Sequence, residues 1–180
     1  MKLRDLFEAM DLYKYHSNPE TLHGYDKKHM ATPEMAYEAA KSGKLNAQQK
    51  KEAESVIAKD PEYAYWYARY VIKGRWPEGE PAIVKDPEWA YTYARYVIKG
   101  RFPEAESVIA KKADRACLYA RNVIKGRFPE GEPAIAKDPW SAYWYTHDVI
   151  KGRWPEGEPV IAKDPEYAKR YKQDIKGLSK

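Results

Sequence analysis

Residues 67–91 read Tyr-Ala-Arg-Tyr-Val-Ile-Lys-Gly-Arg-Trp-Pro-Glu-Gly-Glu-Pro-Ala-Ile-Val-Lys-Asp-Pro-Glu-Trp-Ala-Tyr, and much of this text returns 26 residues later. The tetrapeptide Val-Ile-Lys-Gly or its place in the phrase ends at Gly74, Gly100, Gly126 and Gly152, at intervals of 26 with no insertion. Arg, an aromatic residue and Pro-Glu follow each time, at Arg75-Trp76-Pro77-Glu78, Arg101-Phe102-Pro103-Glu104, Arg127-Phe128-Pro129-Glu130 and Arg153-Trp154-Pro155-Glu156. A fixed period of this length is the mark of a stacked repeat array, in which one unit cannot bury its apolar face alone.

Each unit predicts two helices. Asp60-Pro61-Glu62, repeated at Asp86-Pro87-Glu88 and Asp164-Pro165-Glu166, is a helix start. Asp accepts backbone N–H bonds as the cap, Pro suits the first turn, and Glu favours the positive end of the helix dipole. The long helix should run to Lys73, with Gly74 closing it in a left-handed conformation. A shorter helix should follow between Pro77 and Lys85, its start blurred by Pro81, Pro133 and Pro159, which Ser107 replaces in one unit. Lys112-Ala113 stands in place of Asp-Pro in the third unit, so that helix should begin less sharply, near Asp114.

At 100° per residue, Ala64, Tyr67, Ala68, Val71 and Ile72 share one apolar arc, and the corresponding columns recur in later units. Ile83, Ile109, Ile135 and Ile161 join this core from the short helices, while Trp76, Phe102, Phe128 and Trp154 staple the two helices of a unit together. The expected fold is all-α, an α-solenoid of short helix-turn-helix repeats with a helical N-terminal cap. Residues 1–51 would form the cap, including a diverged first repeat at 33–43, and residues 52–180 the tandem array. Leu3, Leu6, Phe7, Met10, Leu12 and Tyr13 could supply a capping helix. The unit from Asp164 to Gly177 is one residue short, and it carries Lys172 where Ala usually sits.

Other columns change from unit to unit. Tyr63, Trp89, Arg115 and Ser141 form one; Trp66, Thr92, Leu118 and Trp144 another; Tyr70, Tyr96, Asn122 and Asp148 a third. Beside them run Arg69, Arg95, Arg121 and His147, then Lys73, Lys99, Lys125 and Lys151. A variable stripe on a constant scaffold is commonly the binding surface of a solenoid. Trp, Tyr and Arg are also the residues enriched at interaction hot spots. The candidate partner-binding set is therefore Tyr63, Trp66, Arg69, Tyr70, Lys73, Trp89, Arg95, Tyr96, Lys99, Arg121, Trp144 and His147. The competing reading is structural: the tryptophans pack on neighbouring short helices and the arginine column pairs with Glu78, Glu80 and their equivalents.

Composition narrows the function classes. The 180-residue chain has 43% hydrophobic and 33% charged residues and a net charge of +5, with residues 1–60 neutral and the tail 165–180 at +3. A duplex DNA binder concentrates more positive charge on one face. One cysteine, Cys117, cannot form an intramolecular disulfide, and Asp5, Glu8 and Asp11 interrupt any signal-peptide core, so a soluble cytoplasmic protein is expected.

No catalytic or metal-binding constellation emerges, and no cofactor is implied. Residues 74–80 have Glu where a phosphate-binding loop needs Lys, and no strand precedes them. His16, His23 and His29 lack the spacing that places two imidazoles on one metal. Glu78 and Glu80 point apart on a helix, and the repeat places no His beside Cys117.

The recurring phrase, over roughly residues 52–177, resembles tandem 26-residue helical repeat proteins of tailed bacteriophages. The resemblance implies expression in a bacterial host's cytoplasm and engagement of a host or phage protein, for instance to inhibit a defence system. It carries over no site motif. The expected function is thus a non-enzymatic protein-binding repeat module. The alternative is a binder of single-stranded nucleic acid or nucleotides, whose bases would stack on Tyr and Trp while Arg and Lys follow phosphates.

Overall fold

The computed structural model describes residues 30–178, and side chains through residue 175. The expected capping helix near the N-terminus and His16, His23 and His29 lie outside the described residues. Among the described residues all the regular structure is helical. Long helices alternate with short ones: α1 (Pro33–Lys41), α2 (Ala47–Ile57), α3 (Pro61–Trp66), α4 (Glu80–Ile83), α5 (Pro87–Tyr93), α6 (Pro103–Ile109), α7 (Ala113–Tyr119), α8 (Glu132–Ile135), α9 (Pro139–Tyr145), α10 (Glu158–Ile161) and α11 (Pro165–Leu178). Each long helix packs on the long helices before and after it and on the short helices at its sides, so the units form a solenoid. Helix α2 runs across residue 51, joining the diverged first repeat to the array.

The caps are where the sequence places them. The Asp60 carboxylate accepts the Tyr63 N–H at 3.0 Å, Asp86 those of Glu88 and Trp89, and Asp164 those of Glu166 and Tyr167; Asp138, which the expectation did not name, caps its helix in the same way through Ser141. Helix α7 starts at Ala113 with no side-chain cap. In the short helices the text decides the length: Pro-Glu-Gly-Glu-Pro gives four residues at α4, α8 and α10, and Pro-Glu-Ala-Glu-Ser gives seven at α6. Gly79 sits so close to the aromatic staple that a Cβ there would come within 2.4 Å of Trp76 Cε3 and 3.0 Å of Ala64 Cβ. Ala105 is accommodated, fully buried, because α6 already begins at Pro103.

The long helices do not stay α-helical. After Trp66, Tyr93, Tyr119 and Tyr145 they continue as π-helices: π1 (Tyr67–Ile72), π2 (Ala94–Ile98), π3 (Ala120–Ile124) and π4 (Thr146–Ile150). A π-helix bonds i to i+5 and holds one residue more than the α-turn it replaces. Helix α11 shows the relation in reverse: its unit is the one a residue short, and it is α-helical throughout.

This widening corrects two expectations. First, the left-handed residue is the lysine. Lys73, Lys99, Lys125 and Lys151 have φ of 60°, 59°, 58° and 54°, while Gly74 and its equivalents keep ordinary backbone angles. In the first unit the Ala68 carbonyl accepts both the Lys73 and Gly74 N–H groups, which turns the chain at that point. Among the described residues, the shorter first repeat is the one that ends on a left-handed glycine, Gly43 at φ 71°.

Second, the apolar arc rotates. Ala64, Tyr67 and Ala68 are fully buried, but Ile72 is 37% exposed and Val71 is half-buried. The 100° wheel fails where the turn is wider. The column Tyr65, Tyr91, Cys117 and Tyr143, outside the expected arc, is buried instead. The aromatic staples are buried as expected, as are the isoleucines of the short helices.

Candidate functional site

A polar relay fastens each unit to the next and accounts for one arginine column. The Arg101 guanidinium grips the Glu106 carboxylate with two bonds, at 2.7 and 2.6 Å. The Tyr119 hydroxyl donates to Glu106 Oε1 at 2.8 Å and accepts the buried Phe102 N–H at 2.7 Å. The same set recurs as Arg75, Glu80, Tyr93 and Trp76, as Arg127, Glu132, Tyr145 and Phe128, and, more loosely at 3.3 Å for the N–H, as Arg153, Glu158, Tyr171 and Trp154. The arginine holds each carboxyl below the usual range, and burial pushes the tyrosine hydroxyls up. It is therefore Arg75 and its equivalents that pair with Glu80 and its equivalents; the Arg69 column does something else.

That column lies against the variable positions of the following unit. Arg69 donates to the Tyr65 hydroxyl of its own helix and lies 4.6 Å from the centre of the Tyr96 ring in the next. Arg95 donates to the Tyr91 hydroxyl, which also accepts from Asn122 of the next unit at 2.9 Å. Where Cys117 replaces the tyrosine, Arg121 has no hydroxyl to bond and lies 3.0 Å from Asp148 of the next unit instead. Tyr143 donates to Asp174 at 3.0 Å. Much of the variation in the stripe is thus pairing between successive units. Cys117 is buried and its thiol is pushed up to about 12 by desolvation, the opposite of an activated nucleophile.

The predicted binding residues separate into two groups. Tyr63, Trp66, Trp89 and Trp144 are half-buried. Tyr63 lies 6.0 Å from the Tyr37 ring, Trp66 stacks on Tyr70 at 5.4 Å and meets Trp89 at 6.2 Å, and Trp144 packs on Tyr143 and His147. These ring contacts are made within the same long helix or with a neighbouring one. Tyr70, Lys73, Arg95, Tyr96, Lys99, Arg121 and His147 are exposed, and Arg69 is half-exposed among them. They form a ridge along the π-helices, which contact one another in order. Lys125 and Lys151, outside the candidate set, continue its lysine row.

The ridge ends at a cleft of about 490 Å³ between π4 and α11, lined among others by Tyr143, His147, Lys151, Tyr171, Asp174 and Ile175. Among the described residues no three His, Cys, Asp or Glu side chains gather to hold a metal ion, and no helix is long and apolar enough to cross a membrane. No protein-family model matches the chain, and comparison with curated proteins and with solved structures gives no match either.

Proposed function

We propose that this chain is a non-enzymatic protein-binding module that engages its partner through the exposed ridge of Tyr70, Arg95, Tyr96 and the lysine row. The observation that carries the reading is the state of the exposed rings. Tyr70 and Tyr96 are 38% and 36% exposed, yet their rings already carry partners: Trp66 stacks on Tyr70, and the Arg69 and Arg95 guanidinium groups lie 4.6 and 5.0 Å from the Tyr96 centre. A nucleobase needs a free ring face to stack on. A protein surface can use the same groups edge-on, through the hydroxyls and guanidinium N–H donors, as at hot spots rich in Tyr and Arg. The partner would be a host bacterial or phage-encoded protein met in the host cytoplasm, where it could block a defence function.

The test is a tagged pull-down from bacterial lysate, with and without nuclease. The wild type is compared with a Tyr70→Ala, Arg95→Ala, Tyr96→Ala variant, whose changes avoid the buried core. A protein recovered in stoichiometric amount in both nuclease arms and lost with the variant supports the reading. Recovery that the variant leaves unchanged, or that nuclease abolishes, overturns it.

A further inference from the structure

The lysine row has a feature that ordinary surface lysines lack. Lys73, Lys99, Lys125 and Lys151 all occupy the left-handed region, where a side chain with a Cβ is strained by about 1 kcal/mol or more. The residue after each is a glycine in ordinary conformation, and at Gly74 and Gly100 an added Cβ would meet nothing within 4 Å. Exchanging the two residue types would relieve the strain without a clash, yet all four units keep a cation at the strained position. None of these four ammonium groups takes part in an ion pair among the described residues, whereas Arg75, Arg101, Arg127 and Arg153 are each held by a glutamate. A second lysine column, Lys85, Lys111, Lys137 and Lys163, is equally exposed but carries no such strain. Strain of this kind, kept in four units although a glycine stands next to it each time, points to a position held for function.

Resting on the protein-binding reading above, we propose that the ridge takes an extended acidic segment of its partner, with one carboxylate seated on each of Lys73, Lys99, Lys125 and Lys151. Neighbouring packed helices stand about 10 Å apart, and a strand advances roughly 3.3 Å per residue, so the row matches a carboxylate at about every third position. A phosphodiester backbone fits less well. It carries a charge on every nucleotide, whereas the row offers one cation per packed helix. At Lys151 the row opens into the cleft lined by Tyr143, Tyr171 and Ile175, which accepts one apolar side chain at the end of the segment.

The test is fluorescence anisotropy of the full chain with a labelled peptide of about four Asp-Gly-Ser triplets ending in Phe. An Asn-for-Asp peptide, a peptide lacking the Phe and a single-stranded oligothymidylate serve as comparators. The Asp peptide binds, the Asn peptide does not, and loss of the Phe weakens binding about tenfold. Each Lys→Gly change weakens it about threefold and the quadruple variant roughly a hundredfold. Glycine relieves the left-handed strain but adds unfolded-chain entropy of similar size, so the urea midpoint of the quadruple variant does not fall below that of the wild type, which separates lost binding from lost folding. A quadruple Lys→Arg variant retains binding within about threefold. Absence of saturable binding by the Asp peptide, binding that the quadruple Lys→Gly variant leaves intact, or tighter competition by oligothymidylate overturns the proposal. If partner capture still depends on Tyr70, Arg95 and Tyr96 while the acidic peptide fails, the protein-binding reading stands and the acidic-segment proposal alone falls.

Discussion

Replacing Tyr119 with Phe removes one oxygen atom and two hydrogen bonds from the middle of the array. The ring stays, so the fully buried contact with Phe128, 5.4 Å between centres, is preserved. What changes is the relay. The Phe102 N–H, buried and 2.7 Å from the lost hydroxyl, makes no backbone hydrogen bond, and an orphaned buried donor costs about 1–3 kcal/mol. Glu106 loses its 2.8 Å donor but keeps both bonds from Arg101, so this second loss falls at the low end of the range for charged acceptors, about 1.5 kcal/mol. The sum is about 2.5–4.5 kcal/mol at the junction between the second and third units. Because a solenoid is held by nearest-neighbour terms, that loss should split the unfolding into two partly separate transitions. Urea denaturation followed by circular dichroism reads the stability, and hydrogen exchange at the Phe102 amide reads the orphaned donor. Tyr171→Phe is the internal control: its hydroxyl keeps a 2.8 Å bond to Glu158 but sits 3.3 Å from the Trp154 N–H in the terminal unit, so the loss there should be smaller. A Tyr119→Phe change of under about 0.5 kcal/mol, or unchanged Phe102 exchange, would refute the assignment of the relay as the junction's polar clamp.

The remaining expectations concern backbone and pH. Inserting Val between Asp174 and Ile175 restores the repeat's length in the last unit; the second half of α11 should become π-helical and its final lysine adopt positive φ, measured by amide–Hα coupling in NMR, and an unaltered α-helix would contradict the one-residue account. Gly131→Ala brings a Cβ within 2.6 Å of Phe128 and 2.8 Å of Ala116 Cβ and should lower stability by about 1–3 kcal/mol, with Pro133→Ser restoring much of it by allowing the longer short helix seen at α6. The carboxyls of Glu80, Glu106 and Glu132 are lowered from 4.5 in the folded state, first by their arginines, so their contribution is complete above that value and disappears as pH falls through the lower folded value; urea midpoints should be flat near neutrality and drop on the acid side. Tyr93, Tyr119 and Tyr145 are raised from 10.0, first by burial, so a second loss should set in as pH rises past that value, and a midpoint constant through both limbs would exclude the relay from the stability.

The text of the chain determined the period, the all-helical class, the Asp caps, the aromatic staples and the place of the short helices. Each of these is local: a cap, a proline or a glycine acts on atoms within a few residues of itself. Tertiary structure decided where the helices widen, because α- and π-bonding of the same residues differ little locally and the choice follows from what the units must bury against one another. One trace of it was legible, the single residue by which 164–177 falls short of the other units. From the π-turns came the left-handed lysines in place of the expected glycines and the rotation that buries Tyr65 and exposes Ile72. The stripe was readable as a set of columns. Its division was not, since Arg121 pairs with Asp148 and Arg69 covers Tyr96 only across units, and a sequence shows which residues share a column but not which columns meet.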